Sequence, residues 1–300
     1  MLSQSFNKRI GFSYIVVNGC LLLSVNGYTA DLNSQDLVAA PASTQLALAY
    51  FSYATRNSFT ALHGSKIKDE TNLDSFIGIA RYANYIDFAG FMVAPQILLP
   101  YGRLYNASLA GNQLNSAHGF ADPILAAPIW LINKPERSFA IVPYLHVPIG
   151  TYHPDEALNM GENRWKFDLQ LGGTQQLGNG FSAQISADAI WYGSNDDIAG
   201  ITNSKLTQDN TYQLQAWLTY RPPSNQTWTF STGYNKYWGG HQQVDGIENG
   251  QATDVDQFQL EVSKFITPTF QILGQVQRDL HIDGGFKQDI STTLRLTKVF

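Results

Sequence analysis

The side chains with reactive potential fall on three nearby stretches. Tyr144 and His146 come first, then Lys166, Asp168 and Gln170, then Gln184, Ser186, Asp188 and Tyr192. A histidine beside a carboxylate, with a serine or tyrosine hydroxyl in reach, is the material of a nucleophilic hydrolase: the imidazole takes the hydroxyl proton and the acid orients the ring. Opposed charges separated by amide and phenol groups are equally the lining of a narrow polar passage. Spacing decides between the two. All these residues occupy even-numbered positions, and the odd-numbered positions between them are apolar: Leu145, Phe167, Leu169, Leu171, Ile185 and Trp191.

Period two places polar and apolar side chains on opposite faces of a strand. From Trp165 to Leu177 and again from Phe181 to Trp191 the alternation lasts about a dozen residues, with Gly178-Asn179-Gly180 as a tight link between the arms. Strands of soluble proteins average ~5–6 residues, whereas a membrane-crossing strand needs ~9–11. Trp165 and Trp191 mark the same end of both arms, where an interfacial aromatic girdle belongs. The hairpin therefore reads as part of a transmembrane antiparallel up-and-down β-barrel, and the chain as all-β with about 12 strands.

In that barrel Tyr144, His146, Lys166, Asp168, Gln170, Gln184 and Asp188 face the lumen and are the candidates for its constriction. On the later strands the polar, inward-facing positions are odd-numbered and continue the lining through Gln213, Gln215, Gln257, Glu261, Gln271, Gln275, Asp279, Lys287, Asp289 and Arg295. A lipase would need its nucleophile on the lipid face, and His146 has the opposite parity. No catalytic residue is assigned, and an enzyme is not expected. Of the histidines, His63, His118, His153, His241 and His281 fall in loops or at their edges without metal-ligand spacing. Neither a metal nor another cofactor is expected.

The N-terminus sets the compartment. Lys8 and Arg9 precede a charge-free run from Ile10 to Ala30, the pattern of a secretory signal peptide over residues 1–30, with cleavage after Ala30 or Gly27. Cys20, the single cysteine, lies inside that apolar centre, which excludes a disulfide framework from the remainder. Setting aside Lys8 and Arg9 leaves 17 basic against 24 acidic residues, a net charge of −7. No nucleic-acid partner is expected from that balance. Only 14% of the chain is charged, against ~25% for soluble domains, which suits a surface facing outer-membrane lipid.

Residues 31–43, small and polar around Pro41, read as a periplasmic tail or a short plug, and residues 44–300 as the barrel. Strands are expected near 44–54, 72–82, 85–99, 120–132, 138–149, 165–177, 181–191, 210–221, 227–238, 254–265, 269–280 and 286–300. Long and short connections alternate through most of this order, as outer loops and periplasmic turns do. Trp165, Trp191 and Trp238 fall at outer ends, and Trp130, Trp217 and Trp228 near inner ends. Trp217 has the parity of the polar face and is expected inside.

Phe120-Ala121-Asp122-Pro123, Trp130–Asn133, Pro148–Tyr152, Gly161–Asp168 and Trp191–Gly193 with Asn195–Asp197 together resemble the outer-membrane family named for the MetA-pathway of phenol degradation. Gly161–Asp168 is the most specific of these stretches. The resemblance implies a barrel that passes small, often aromatic or hydrophobic solutes across the outer membrane of a Gram-negative bacterium, and it carries no catalytic residues. A passive channel into the periplasm is the expectation; a hydrolase on the same scaffold and a structural or partner-binding barrel are the alternatives.

Leu294, Leu296 and Phe300 share one face of the last strand, a terminal signature expected to be read by the barrel insertion machinery. Phe300→Asp should lower heat-modifiable barrel in the membrane fraction and raise degraded periplasmic chain, as judged by immunoblot. Normal membrane levels would refute this role.

Overall fold

The computed structural model describes residues 31–198 and 204–300; the signal peptide expected over residues 1–30 lies outside the described residues. Twelve long strands form the wall. They are β1 (Gln45–Thr60), β2 (Asn72–Asn84), β3 (Gln96–Leu109), and β4 in three pieces (Ala117–Phe120, Ile124–Ala126, Ile129–Lys134). There follow β5 (Arg137–His146), β6 (Lys166–Gly178), β7 (Phe181–Tyr192), β8 (Thr211–Tyr220) and β9 (Trp228–Gly239). β10 (Asp254–Thr267), β11 (Phe270–Asp283) and β12 (Gly285–Val299) complete the wall. Each pairs antiparallel with its sequence neighbours, and β12 closes on β1 from Leu46 opposite Val299 to Thr60 opposite Gly285. Phe300 N donates to Gln45 O at 2.9 Å and Gln45 N to Phe300 O at 3.3 Å, so the seam is bonded to its last residue. Closure is what makes such a wall viable in lipid, since no edge is left with unpaired backbone groups.

The alternation predicts the facing of the central hairpin. Phe167, Leu171, Ile185 and Trp191 are exposed on the outside, whereas Asp168, Gln170, Gln184 and Asp188 are buried within. Phe167 packs on Trp191 and Tyr212 on Trp238 at the loop end, with ring centroids 5.7 and 5.8 Å apart, while Phe181 meets Tyr220 at the turn end. These are the two aromatic girdles.

Three parts of the wall differ from expectation, each for a local reason. β3 runs Gln96–Leu109 instead of 85–99, because Phe91–Val93 folds back on Ile86–Phe88 as a small hairpin at the turn end. Its true span hides its period: Ile97, Leu99 and Tyr101 face lipid while Leu98, Pro100 and Leu104 face an apolar stretch of lumen. Secondly, Lys287 and Asp289 are not lumenal. Thr55 pairs with Ile290 and Arg56 with Gln288, so Asp289 is an extra residue in β12; beyond that bulge the facing changes parity, and Gln288 is the inward residue. Thirdly, Trp130 is not an interfacial anchor but is buried inside, stacked on Tyr85 at 5.6 Å. Trp217 is inside as its parity requires.

The lipid face generates a test by depth. Leu171 and Gln175 lie on the same face of β6, the first well along the strand and the second close to the turn end. Leu171→Arg should cost about 2–4 kcal/mol of folding free energy in lipid and Gln175→Arg about 0–1, measured by equilibrium unfolding in vesicles. Equal costs would show that the strand does not cross as drawn.

Candidate functional site

The lumen is filled by side chains of its own wall and by the segment that precedes β1. Leu32 N donates to Gln215 Oε1 at 3.1 Å, Leu37 N to Gln184 Oε1 at 3.2 Å, and Gln184 Nε2 to Asn33 O at 3.2 Å. The two inward tryptophans donate to the same segment: Trp130 Nε1 to Leu37 O at 2.9 Å and Trp217 Nε1 to Leu32 O at 3.2 Å. Ion pairs add to these bonds. Asp36 lies between Arg81 (3.3 Å) and Arg295 (3.1 Å), and Glu261 accepts from Asn33 and Ser34. Leu37 packs into a buried apolar cluster with Trp130, Ala140, Val142 and Tyr144. A Cβ on Gly172 would come within 2.7 Å of Leu37, so the small residue at this lumenal position of β6 is what lets the segment approach the wall.

The predicted constriction residues are all inside, but they divide among three tasks. Gln184 holds the segment just described. Gln170, with no exposed surface, accepts from Tyr144 Oη at 3.2 Å and donates to Asp188 Oδ2 at 2.9 Å, and Gln215 Nε2 reaches the same Asp188 oxygen at 3.4 Å. Asp168 lies opposite Tyr144 across the β5–β6 ladder. His146 and Lys166, one rung nearer the loop end, line a cavity.

The hydrolase geometry with Ser186 does not assemble. His146 pairs across the ladder with Lys166, whereas Ser186 is level with Gly172. Six residues along a strand are ~20 Å, far beyond proton-transfer reach. Tyr192, the other hydroxyl considered, is level with Lys166 on the far side from His146, and its Oη donates to Thr211 Oγ1 at 2.9 Å. Among the described residues no cluster of three His, Cys, Asp or Glu side chains could hold a metal ion.

Outside these strands the motif residues converge on one loop. Asp122 accepts Gly150 N at 2.9 Å and Glu162 N at 2.8 Å, fastening both ends of the long β5–β6 connection. A Cβ on Gly150 would lie 2.8 Å from the Asp122 backbone and carboxylate, which explains a glycine there. Glu162 in turn binds Arg164 at 2.7 Å and Lys166 at 2.8 Å. Burial alone would raise the Glu162 carboxyl, but Lys166 and Arg164 hold it well below the usual carboxylate range, so it stays ionised. The counter-ion of Lys166 is thus Glu162 rather than Asp168. Leu158 from the same loop is fully buried among Phe59, Leu73, Leu104 and Ala107, capping the interior from the loop end.

Between this loop and the N-terminal segment is a cavity of about 260 Å³. Its wall comes chiefly from β1 to β4, β11 and β12: Tyr50, Arg56, Ile77, Ile79, Arg81, Leu98, Pro100 and Leu104 on one side, Gln275, Gln277 and Gln288 on the other. Arg56, Arg81 and Glu162 line this cavity and were missed by sequence reasoning. Arg56 falls beyond the expected end of β1, in the polar run Thr55-Arg56-Asn57-Ser58 that looks like loop. Arg81 sits among the residues of β2 with the right parity and was legible. Glu162 lies inside the most specific motif, but no strand period governs it.

A closed wall with an apolar exterior, aromatic girdles and a polar interior is an outer-membrane β-barrel of the Gram-negative type. The family model described as "Putative MetA-pathway of phenol degradation" matches residues 56–287, and the chain belongs to that family. The crystal structure of an outer membrane channel from Pseudomonas putida F1 is similar at TM-score 0.84 and 31% identity, over 90% of this chain and 100% of that one. The transport unit of the autotransporter AIDA-I from Escherichia coli matches at TM-score 0.51 and 12% identity, over 96% of this chain and 98% of that one, a likeness of fold alone. Among curated proteins no relative matches.

Asp122→Ala should free the two loop amides it holds. Losing hydrogen bonds to a charged group costs about 1.5–3 kcal/mol each, so amide exchange at Gly150 and Glu162 should accelerate by roughly tenfold or more while barrel content is unchanged. Unaltered exchange would remove Asp122 from this role.

Proposed function

We propose that the protein is a passive channel for small, weakly polar or aromatic solutes, and that residues 31–43 act as a plug within the barrel 44–300. What carries the reading is the cavity of about 260 Å³, enclosed in a barrel whose family and fold belong to outer-membrane channels. Its volume is of the order of a one-ring compound, at the small end of ligand pockets. A solute arriving from the loop end meets His146 and Lys166 first, then apolar wall, then the N-terminal segment. Tyr144, Gln170, Asp168 and Asp188 form the narrow polar level beside that segment, the constriction in this reading. A twelve-stranded barrel is narrower than the 16–18-stranded porins with their open aqueous pores, so side chains and one short segment suffice to filter it. The ordering of Leu32 to Leu37 by side chains of β4, β5, β7, β8, β10 and β12 supports the plug. The separation of His146 from Ser186 weighs against a hydrolase. The apolar exterior is read as lipid-facing, and Phe300 as the contact for the insertion machinery.

In liposomes, wild-type protein should admit phenol-sized solutes above protein-free controls. Deleting residues 31–43, or Leu37→Asp at its buried anchor, should raise ion conductance several-fold with the heat-modifiable barrel retained. Wild-type liposomes indistinguishable from protein-free ones would sink the channel. Unchanged conductance in both variants would sink the plug.

A further inference from the structure

The charges that border the cavity sum to zero, Arg56, Arg81 and Lys166 against Asp31, Asp122 and Glu162, but they are not all in contact with one another. Lys166 is neutralised by Glu162, and Arg81 by Asp36 at 3.3 Å with further bonds to Gln96 and Tyr50. Arg56 is different. It is 3% exposed, lines the cavity, and donates from Nη1 to the neutral hydroxyl of Ser75 at 3.1 Å. Among the described residues no carboxylate comes within 4.0 Å of its guanidinium. The acids on neighbouring strands take their hydrogen bonds from other groups: Asp74 accepts Asn106, Asp289 accepts Asn57, and Asp279, which feels the Arg56 charge through space without touching it, accepts Gln288 N and Gln257. An arginine buried with no anion in hydrogen-bond contact is costly, because desolvation of the charge is offset only in part by a carboxylate at a distance. The rest of the guanidinium fork is free to receive a planar, two-oxygen anion, the geometry for which arginine is suited.

What lies next to Arg56 narrows the class of anion. Leu104 is level with Ser75, and Ile77 with Gly102, one step further from the loop end; Ile79 and Pro100 follow. A Cβ on Gly102 would meet Ile77 at 2.6 Å, so the wall here is smooth and apolar. Resting on the channel reading and deepening it, we propose that the cavity binds small aromatic carboxylates, the carboxylate on Arg56 and the ring against Ile77, Ile79, Pro100 and Leu104. The neutral aromatic of the same shape is the weaker ligand. A free inorganic anion lacks the ring and binds weakly. The β12 bulge at Asp289 contributes by turning Gln288 into the lumen opposite Arg56, where its amide borders the same space.

Benzoate and benzyl alcohol, alike in shape and different in charge, are the probes, titrated calorimetrically into detergent-solubilised full-length protein at neutral pH. Wild-type protein should bind benzoate at least about tenfold more tightly than benzyl alcohol, and chloride should compete poorly. Arg56→Gln should remove that preference, Arg56→Lys should recover part of it, and Lys298→Gln on the outer surface should leave it intact. Equal binding of the two probes by wild-type protein overturns the proposal without any variant. So does an Arg56→Gln protein, folded by heat-modifiability, that keeps the preference. Liposome uptake of benzyl alcohol reads the channel separately: uptake without benzoate preference keeps the channel and discards the anion site. Benzoate preference without uptake does the reverse.

Discussion

Closure of the wall is the constraint from which the rest follows. In hydrocarbon a backbone N–H or C=O without a partner costs several kcal/mol, and a sheet escapes this only by pairing its first strand with its last. β1 and β12 do so from Thr60 to Leu46, interrupted only by bulges near the loop end, and on to the bonds between Gln45 and Phe300. Once the wall is a ring of twelve, its inside is too narrow to be a bulk aqueous pore and too wide to be left empty. It is filled with polar side chains, an apolar patch near the turn end, and one short stretch of chain.

That filling is not uniform, and the difference between its halves matters more than any single residue. On the side of β5 to β10, glutamines dominate: Gln170, Gln213, Gln215, Gln257 and Gln259 are buried with almost no exposure. Long neutral amides can bond to one another and to the backbone of Leu32–Leu37 without the desolvation cost of charges. On the side of β1 to β4 the inner face is apolar, with arginines above and below it, and there the cavity lies. The first half is packed with side chains and the second leaves an enclosed space.

The central hairpin was legible because its two environments, lipid and polar lumen, differ in every property that sequence displays. Phe167 against Asp168 is unambiguous. β3 was not legible, since Leu98 and Leu99 are both apolar for different reasons, one facing the cavity and one facing lipid. The facing of Lys287 and Asp289 failed for another cause: a bulge is one residue long and leaves no trace in composition. The candidate site shows the same division. His146 and Lys166 follow from parity, whereas Glu162 and Asp122 act through loop and bulge geometry, which no period encodes. Arg56 was hidden by its polar neighbours, which are strand residues at the rim of a barrel and loop residues in most other folds.

The bonds from Asn33 to Arg295 and from Ser34 to Glu261 span 262 and 227 residues of chain. The segment that fills the lumen is thus made early, while two of the groups that hold it, Glu261 and Arg295, belong to the last three strands. Its set of partners is complete only when nearly the whole wall exists. Assembly must therefore either wrap the strands around a waiting segment or complete the ring first and thread the segment in afterwards. In both cases the last bonds to the segment, from Glu261 and Arg295, form only as the ring closes.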